Sequence, residues 1–171
     1  MMTKMALVAW GLTASVVASN GARKLSSTVL SAMADAALAN PVPVGDGEDG
    51  PLVTMAYEVA LAWLEGANNG AAIGDGHNSY CWGQIYLPNG ARTREGWSGP
   101  ELVSDPLKCA NVVVRIVHTS IAMGPKDCEL CLYARGRVTP EARRISGHRV
   151  DLAKKLLSTV PTPTVEPLAR L

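Results

Sequence analysis

Residues 62–85 read AWLEGANNGAAIGDGHNSYCWGQI. They place an acidic side chain, Glu65, at the end of an apolar pattern with helical spacing. A loop rich in Gly, Asn and Ala follows, and the stretch closes on Gly83-Gln84-Ile85. A carboxyl group at the rim of a packed helix faces a loop whose glycines let the backbone approach a polymer closely. That arrangement suits general acid chemistry on a glycosidic bond.

Upstream of Glu65, Pro51 suits the first turn of a helix. Leu52, Ala56, Val59, Ala60 and Trp63 recur along one stripe of it. Glu65 arrives at the C-terminal end, where the helix dipole and apolar neighbours both favour the protonated carboxyl that a general acid needs. Glu58 is a rival acid one helical face away and is expected to be solvated. Before this helix, Leu25 to Ala39 carries a helical stripe through Leu25, Val29 and Met33, and Asn40-Pro41 ends it. The loop from Pro41 to Gly50 holds acids without the spacing of a calcium loop.

Downstream, Tyr80 to Leu87 reads as a short strand or extended lip before the turn Pro88-Asn89-Gly90. Arg92 to Ser104 reads as irregular. Pro106 opens the strongest helix of the chain, with Leu107, Ala110, Val114, Val117 and Ile121 on its stripe and Gly124-Pro125 as its stop. A short helical piece from Cys128 to Ala134 ends at Gly136. Ser146 is read as the cap of a last helix running to about Leu157, followed by a loose Pro/Thr-rich tail.

The 171 residues are enough for one domain with a real core and too few for two comfortable ones. With 47% hydrophobic and 18% charged residues the chain is of the folded globular class. A formal net charge of +1 gives no global attraction to nucleic acid, and none is expected as a partner. A local basic run extends from Arg135 to Arg149. Lys4 followed by the apolar run Met5–Ser19 and small residues to Ala22 has the layout of a secretory signal, and equally of an N-terminal helix that packs. The run is too short for a stable membrane span. The division that results is an N-terminal apolar segment over 1–22, a domain over 23–158 and a tail over 159–171.

Four cysteines, Cys81, Cys109, Cys128 and Cys131, permit three pairings, and connectivity cannot be read from sequence. Pairing Cys81 with Cys109 would tether the Gln84 strand to the long helix. Cys128-x-x-Cys131 looks like half of a zinc knuckle, but no second such pair completes it, and no metal or other cofactor is expected.

Three strings in order then carry a resemblance: Ala62-Trp63-Leu64-Glu65, Cys81-Trp82-Gly83-Gln84-Ile85 and Leu132-Tyr133-Ala134-Arg135-Gly136. Together they resemble the lysozyme-like lytic transglycosylase superfamily, whose pattern is a helix ending in Glu-Ser, a G-x-x-Q-[IL] string and a late A-x-Y-N-A-G string. The resemblance spans Pro51 to about Leu157. It implies a mainly α, lysozyme-like α+β domain with a short extended or β lip beside an active-site cleft. It also implies cleavage of the MurNAc–GlcNAc β-1,4 bond of peptidoglycan with Glu65 as the single general acid and base. In a transglycosylase the sugar's own C6 hydroxyl closes the anhydro ring. A hydrolase that inverts would need a base about 6.5–9.5 Å from the acid, and Asp75 is the candidate for that role. Gln84 and Tyr133 would bind saccharide around the scissile bond, with Tyr80 and His77 lining the cleft.

The implied partners are glycan strands and, beyond them, a cell-envelope or phage-virion assembly, with the protein extracytoplasmic or virion-associated. Two positions depart from the pattern: Gly66 stands where Ser is customary and Arg135 where Asn is typical. These departures define an alternative, a non-catalytic lysozyme-like domain serving as a structural or glycan-binding piece of a larger assembly.

Overall fold

Short polar side chains mark where the long helices begin. Thr3, Ser26, Asp49, Asp105 and Thr139 each accept a backbone N–H of the first turn that follows, satisfying donors that a helix start leaves without an intrahelical partner. Behind them run α1 (Lys4–Ala18), α2 (Ser27–Ala39), α3 (Gly50–Leu64), α5 (Pro106–Met123) and α7 (Pro140–Thr159), with the shorter α4 (Gly99–Ser104) and α6 (Cys131–Arg135) between them. The computed structural model describes residues 2–21, 25–45, 48–65 and 73–161. Gly66, most of the glycine-rich loop and the tail from Thr162 onward lie outside the described residues.

The molecule is organised around α3. Residues 54 to 62 of this helix are all buried, and it packs against α1, α2, α5 and α7. A helix that is apolar on every side belongs in the middle of a core, and this one occupies it. The N-terminal apolar run forms α1 and contributes Leu7, Trp10 and Ala14 to the same core. The Trp10 indole donates to the carbonyl of Val160 at 3.4 Å, which ties the middle of α1 to the residue that follows α7. On α5, His118 places Nε2 3.0 Å from the carbonyl oxygen of Asn40 at the end of α2. Among the described residues no helix is long and apolar enough to cross a membrane.

Between α3 and α4 the expected lip is a small antiparallel sheet, β1 (Ile73–Gly74), β2 (Ser79–Tyr80) and β3 (Ile85–Tyr86), in the order β1-β2-β3. Ile73 pairs with Tyr80, and Ser79 with Tyr86. The class is therefore mainly α with a minor β element.

Two local expectations are corrected. The segment 92–104 is not wholly irregular, because Ser98 and Glu101 form a reciprocal capping box that starts α4. Nor does Ser146 cap the last helix. Thr139 and Pro140 start α7 two turns earlier, and Ser146 is a buried mid-helix residue whose hydroxyl accepts the Leu130 N–H at 3.0 Å.

Candidate functional site

The sheet, the end of α3, α6 and one face of α7 enclose a cleft of about 1000 Å³. Its lining includes Glu65, Asp75, Gln84 and Tyr133, so four of the six residues singled out from sequence share one cleft. His77 is exposed, and Tyr80 donates its hydroxyl to the His77 carbonyl while its ring covers Gly99. Neither Tyr80 nor His77 is part of the cleft lining.

Glu65 occupies the C-cap of α3, with its backbone N–H bonded to Leu61 O at 2.9 Å. Its carboxylate does not face the cleft alone. Arg149, from the buried stripe of α7, donates Nη2–H to Glu65 Oε1. The two side chains are only 10% and 18% exposed, respectively, so this pair is shielded far more than an ordinary surface salt bridge. The same guanidinium lies 5.5 Å from the centroid of the Tyr133 ring, within cation–π range. Arg149 was not foreseen as a site residue. The run Arg135–Arg149 reads as a surface patch, whereas Ala142, Ser146, Arg149, Val150, Ala153 and Leu156 form the inward stripe of α7.

Tyr133 reaches the lip directly. Its hydroxyl donates to the carbonyl oxygen of Gly83 at 2.7 Å. Burial pushes the phenol well above its ordinary range, the Glu65 carboxylate adds to that rise, and Arg149 opposes it, so Tyr133 acts as a neutral donor. Gly83 is closely enclosed: a Cβ there would lie 2.3 Å from Val113 Cγ2 and 3.2 Å from the Tyr133 hydroxyl. Gln84 folds back to donate Nε2–H to Cys81 O at 3.0 Å, and its Oε1 occupies the space that a Cβ on Gly74 would need. The Asp75 carboxylate accepts the Ser79 hydroxyl at 2.7 Å, which closes its own turn.

The lip holds several non-glycine residues in left-handed backbone conformation: Asp75 (φ 48°), His77 (69°), Cys81 (57°) and Gln84 (48°). Such residues each cost on the order of 1–3 kcal/mol and persist where the surroundings over-determine them. One such constraint is covalent. A disulfide joins Cys81, in the lip, to Cys109 on α5. The second disulfide links Cys128 and Cys131, so both sulfurs of the half-knuckle are bonded to each other.

Glu58 departs most from expectation. It is fully buried rather than solvated, and among the described residues neither carboxyl oxygen has a hydrogen-bond partner. Burial raises its pKa well above the ordinary carboxyl value. Seven residues before Glu65, it lies on nearly the same side of α3, because two helical turns return the side chain to the same face.

No protein-family model, no curated protein and no solved structure matches this chain.

Proposed function

We propose that this protein cleaves peptidoglycan glycan strands at the MurNAc–GlcNAc β-1,4 bond, as a lytic transglycosylase or muramidase with Glu65 as general acid and then base. The observation that carries the reading is convergence. Glu65, Gln84 and Tyr133 come from three strings spread over some 70 residues of sequence, and they line one cleft large enough for several sugar rings. An acid that caps a helix buried along residues 54 to 62 is held more firmly than one on a loop, as proton transfer to a positioned leaving group requires. Asp75 is engaged by Ser79, and this favours the route in which the sugar's own hydroxyl, rather than a second carboxylate, completes the reaction. Peptidoglycan places the working site outside the cytoplasm or on a virion.

A second reading is favoured by one observation, the occupation of the Glu65 carboxylate by Arg149. On that reading the domain binds glycan, or serves structurally in an assembly, without cutting.

A zymogram on purified cell walls separates the two. Wild type is expected to clear the wall and Glu65→Gln to fail. Equal clearing by both, or by neither, would remove Glu65 as the acid. The products then decide the route, since an anhydro sugar is lighter than a reducing end by one water.

A further inference from the structure

The Arg149–Glu65 pair is not simply an obstacle to the acid. We propose, resting on the reading of Glu65 as general acid, that Arg149 is a positioning residue that orients the Glu65 carboxyl in the cleft and stabilises the carboxylate formed when its proton leaves. Arg149 is 8% exposed and reaches Glu65 across 84 residues of chain. Its guanidinium is held over the Tyr133 ring, and Tyr133 is fixed to the Gly83 carbonyl beside Gln84. One side chain therefore ties the acid to both of the other strings. Its Nη1 is buried without a hydrogen-bond partner among the described residues. A buried donor left unspent is costly, and such groups concentrate where a site needs them.

The chemistry assigns the arginine a definite moment. In the first step the Glu65 O–H proton passes to the glycosidic oxygen as the C1–O bond breaks, with the bonding pair remaining on that oxygen. Glu65 is then a carboxylate, the form to which Arg149 donates. In the second step the C6 hydroxyl gives its proton to that carboxylate as the O6–C1 bond forms. Arg149 thus pairs more strongly with the species that follows proton donation than with the one that precedes it, and only such differential pairing lowers a barrier. The guanidinium keeps its own protons throughout. Among the described residues, the other titratable groups lining the cleft are Asp75 in the turn between β1 and β2, Tyr86 on β3 and Tyr133 on α6, with Glu58 on α3 fully buried in the core.

The experiment assays wall clearing by wild type, Arg149→Met, Arg149→Lys and Glu65→Gln, with the fold of each checked by circular dichroism and urea unfolding. In R149M the maximal rate is expected to fall about tenfold or more, with little change in KM. R149K keeps the charge at the same place and is expected to recover part of that loss, which a merely structural role would not require. If R149M does not fold, Arg149→Gln carries the same expectation. A folded R149M that clears the wall at the wild-type maximal rate would overturn this proposal alone. A wild type that clears no wall, or an E65Q variant that clears it equally well, would overturn the reading of Glu65 as acid, and this proposal with it.

Discussion

The Tyr133 hydroxyl donates to the Gly83 carbonyl at 2.7 Å, joining α6 to the lip across 50 residues of chain. The bond fixes the distance between the wall of the cleft that carries Arg149 and the wall that carries Gln84. Removing one hydroxyl from this contact costs stability of about 1 kcal/mol, and leaves a buried carbonyl without its donor. Tyr133→Phe is therefore expected to lower unfolding free energy by about that amount in urea while the fold persists. On the proposed function it also lowers wall clearing more than the stability loss explains. Full activity in Y133F would show that Gly83 and the lip do not need the tie.

Gly83 has no room for a side chain, because Val113 Cγ2 stands 2.3 Å from where its Cβ would be. Gly83→Ala is expected to cost about 1–3 kcal/mol by overpacking. Val113→Ala removes the clashing methyl groups, so the double variant should recover part of that loss, a coupling visible in a double-mutant cycle. Strict additivity of the two single changes would mean that the lip, rather than Val113, absorbs the strain.

The contrast between α5 and α7 shows what the sequence carries. Asp105-Pro106 and Gly124-Pro125 bracket α5 with chemistry that acts locally, and its bounds could be read without knowing the fold. Thr139-Pro140 gives the same kind of signal for α7, but Ser146 offered a competing cap, and only the packing of Ser146 against Leu130 decides between them. With the start at Pro140, the stripe through Ala142 and Ser146 carries Arg149 inward. Started at Ser146, the helix leaves that arginine in a basic run. Glu65, Gln84 and Tyr133 stand out as candidates because each belongs to a short string, and the fold brings them to one cleft. Arg149 and Glu58 do not stand out, since one charge in a basic run and one acid in an apolar run acquire their meaning only from the helices that pack over them. The lip was legible as extended chain, whereas its left-handed residues, among them Cys81 with its disulfide tether to α5, take their conformation from contacts that no short string announces.

That tether supplies the next expectation. With all four cysteines paired, the intact oxidised protein should be four hydrogens lighter than its reduced form and take up no alkylating reagent before reduction. Cys81→Ala combined with Cys109→Ala opens a loop of 28 residues and is expected to cost about 3.5 kcal/mol on the chain-entropy account. The loss should be accompanied by faster amide exchange in the lip, because the covalent restraint on Cys81 and Gln84 goes with it. Reactive thiols in the oxidised protein would contradict the pairing.

The buried Glu58 makes a prediction about pH whose sign is opposite to that of a salt-bridged carboxylate. Burial holds its folded-state pKa well above the ordinary value, so between that ordinary value and the raised one the unfolded chain has released a proton that the folded chain still binds. Stability must then fall as pH rises from about 4.3, by up to about 1.4 kcal/mol per pH unit, until the folded-state value is reached. Glu58→Gln keeps the shape of the neutral acid and cannot titrate, so it lacks this loss. Unfolding free energies of wild type and E58Q, measured in urea at pH 4, 5, 6 and 7, should therefore diverge in favour of the variant as pH rises. The difference is the informative quantity, since other groups titrate alike in both proteins. A difference that stays flat from pH 5 to pH 7 would mean that Glu58 ionises in the folded protein as readily as in the unfolded chain, and that its two oxygens find partners or water in solution.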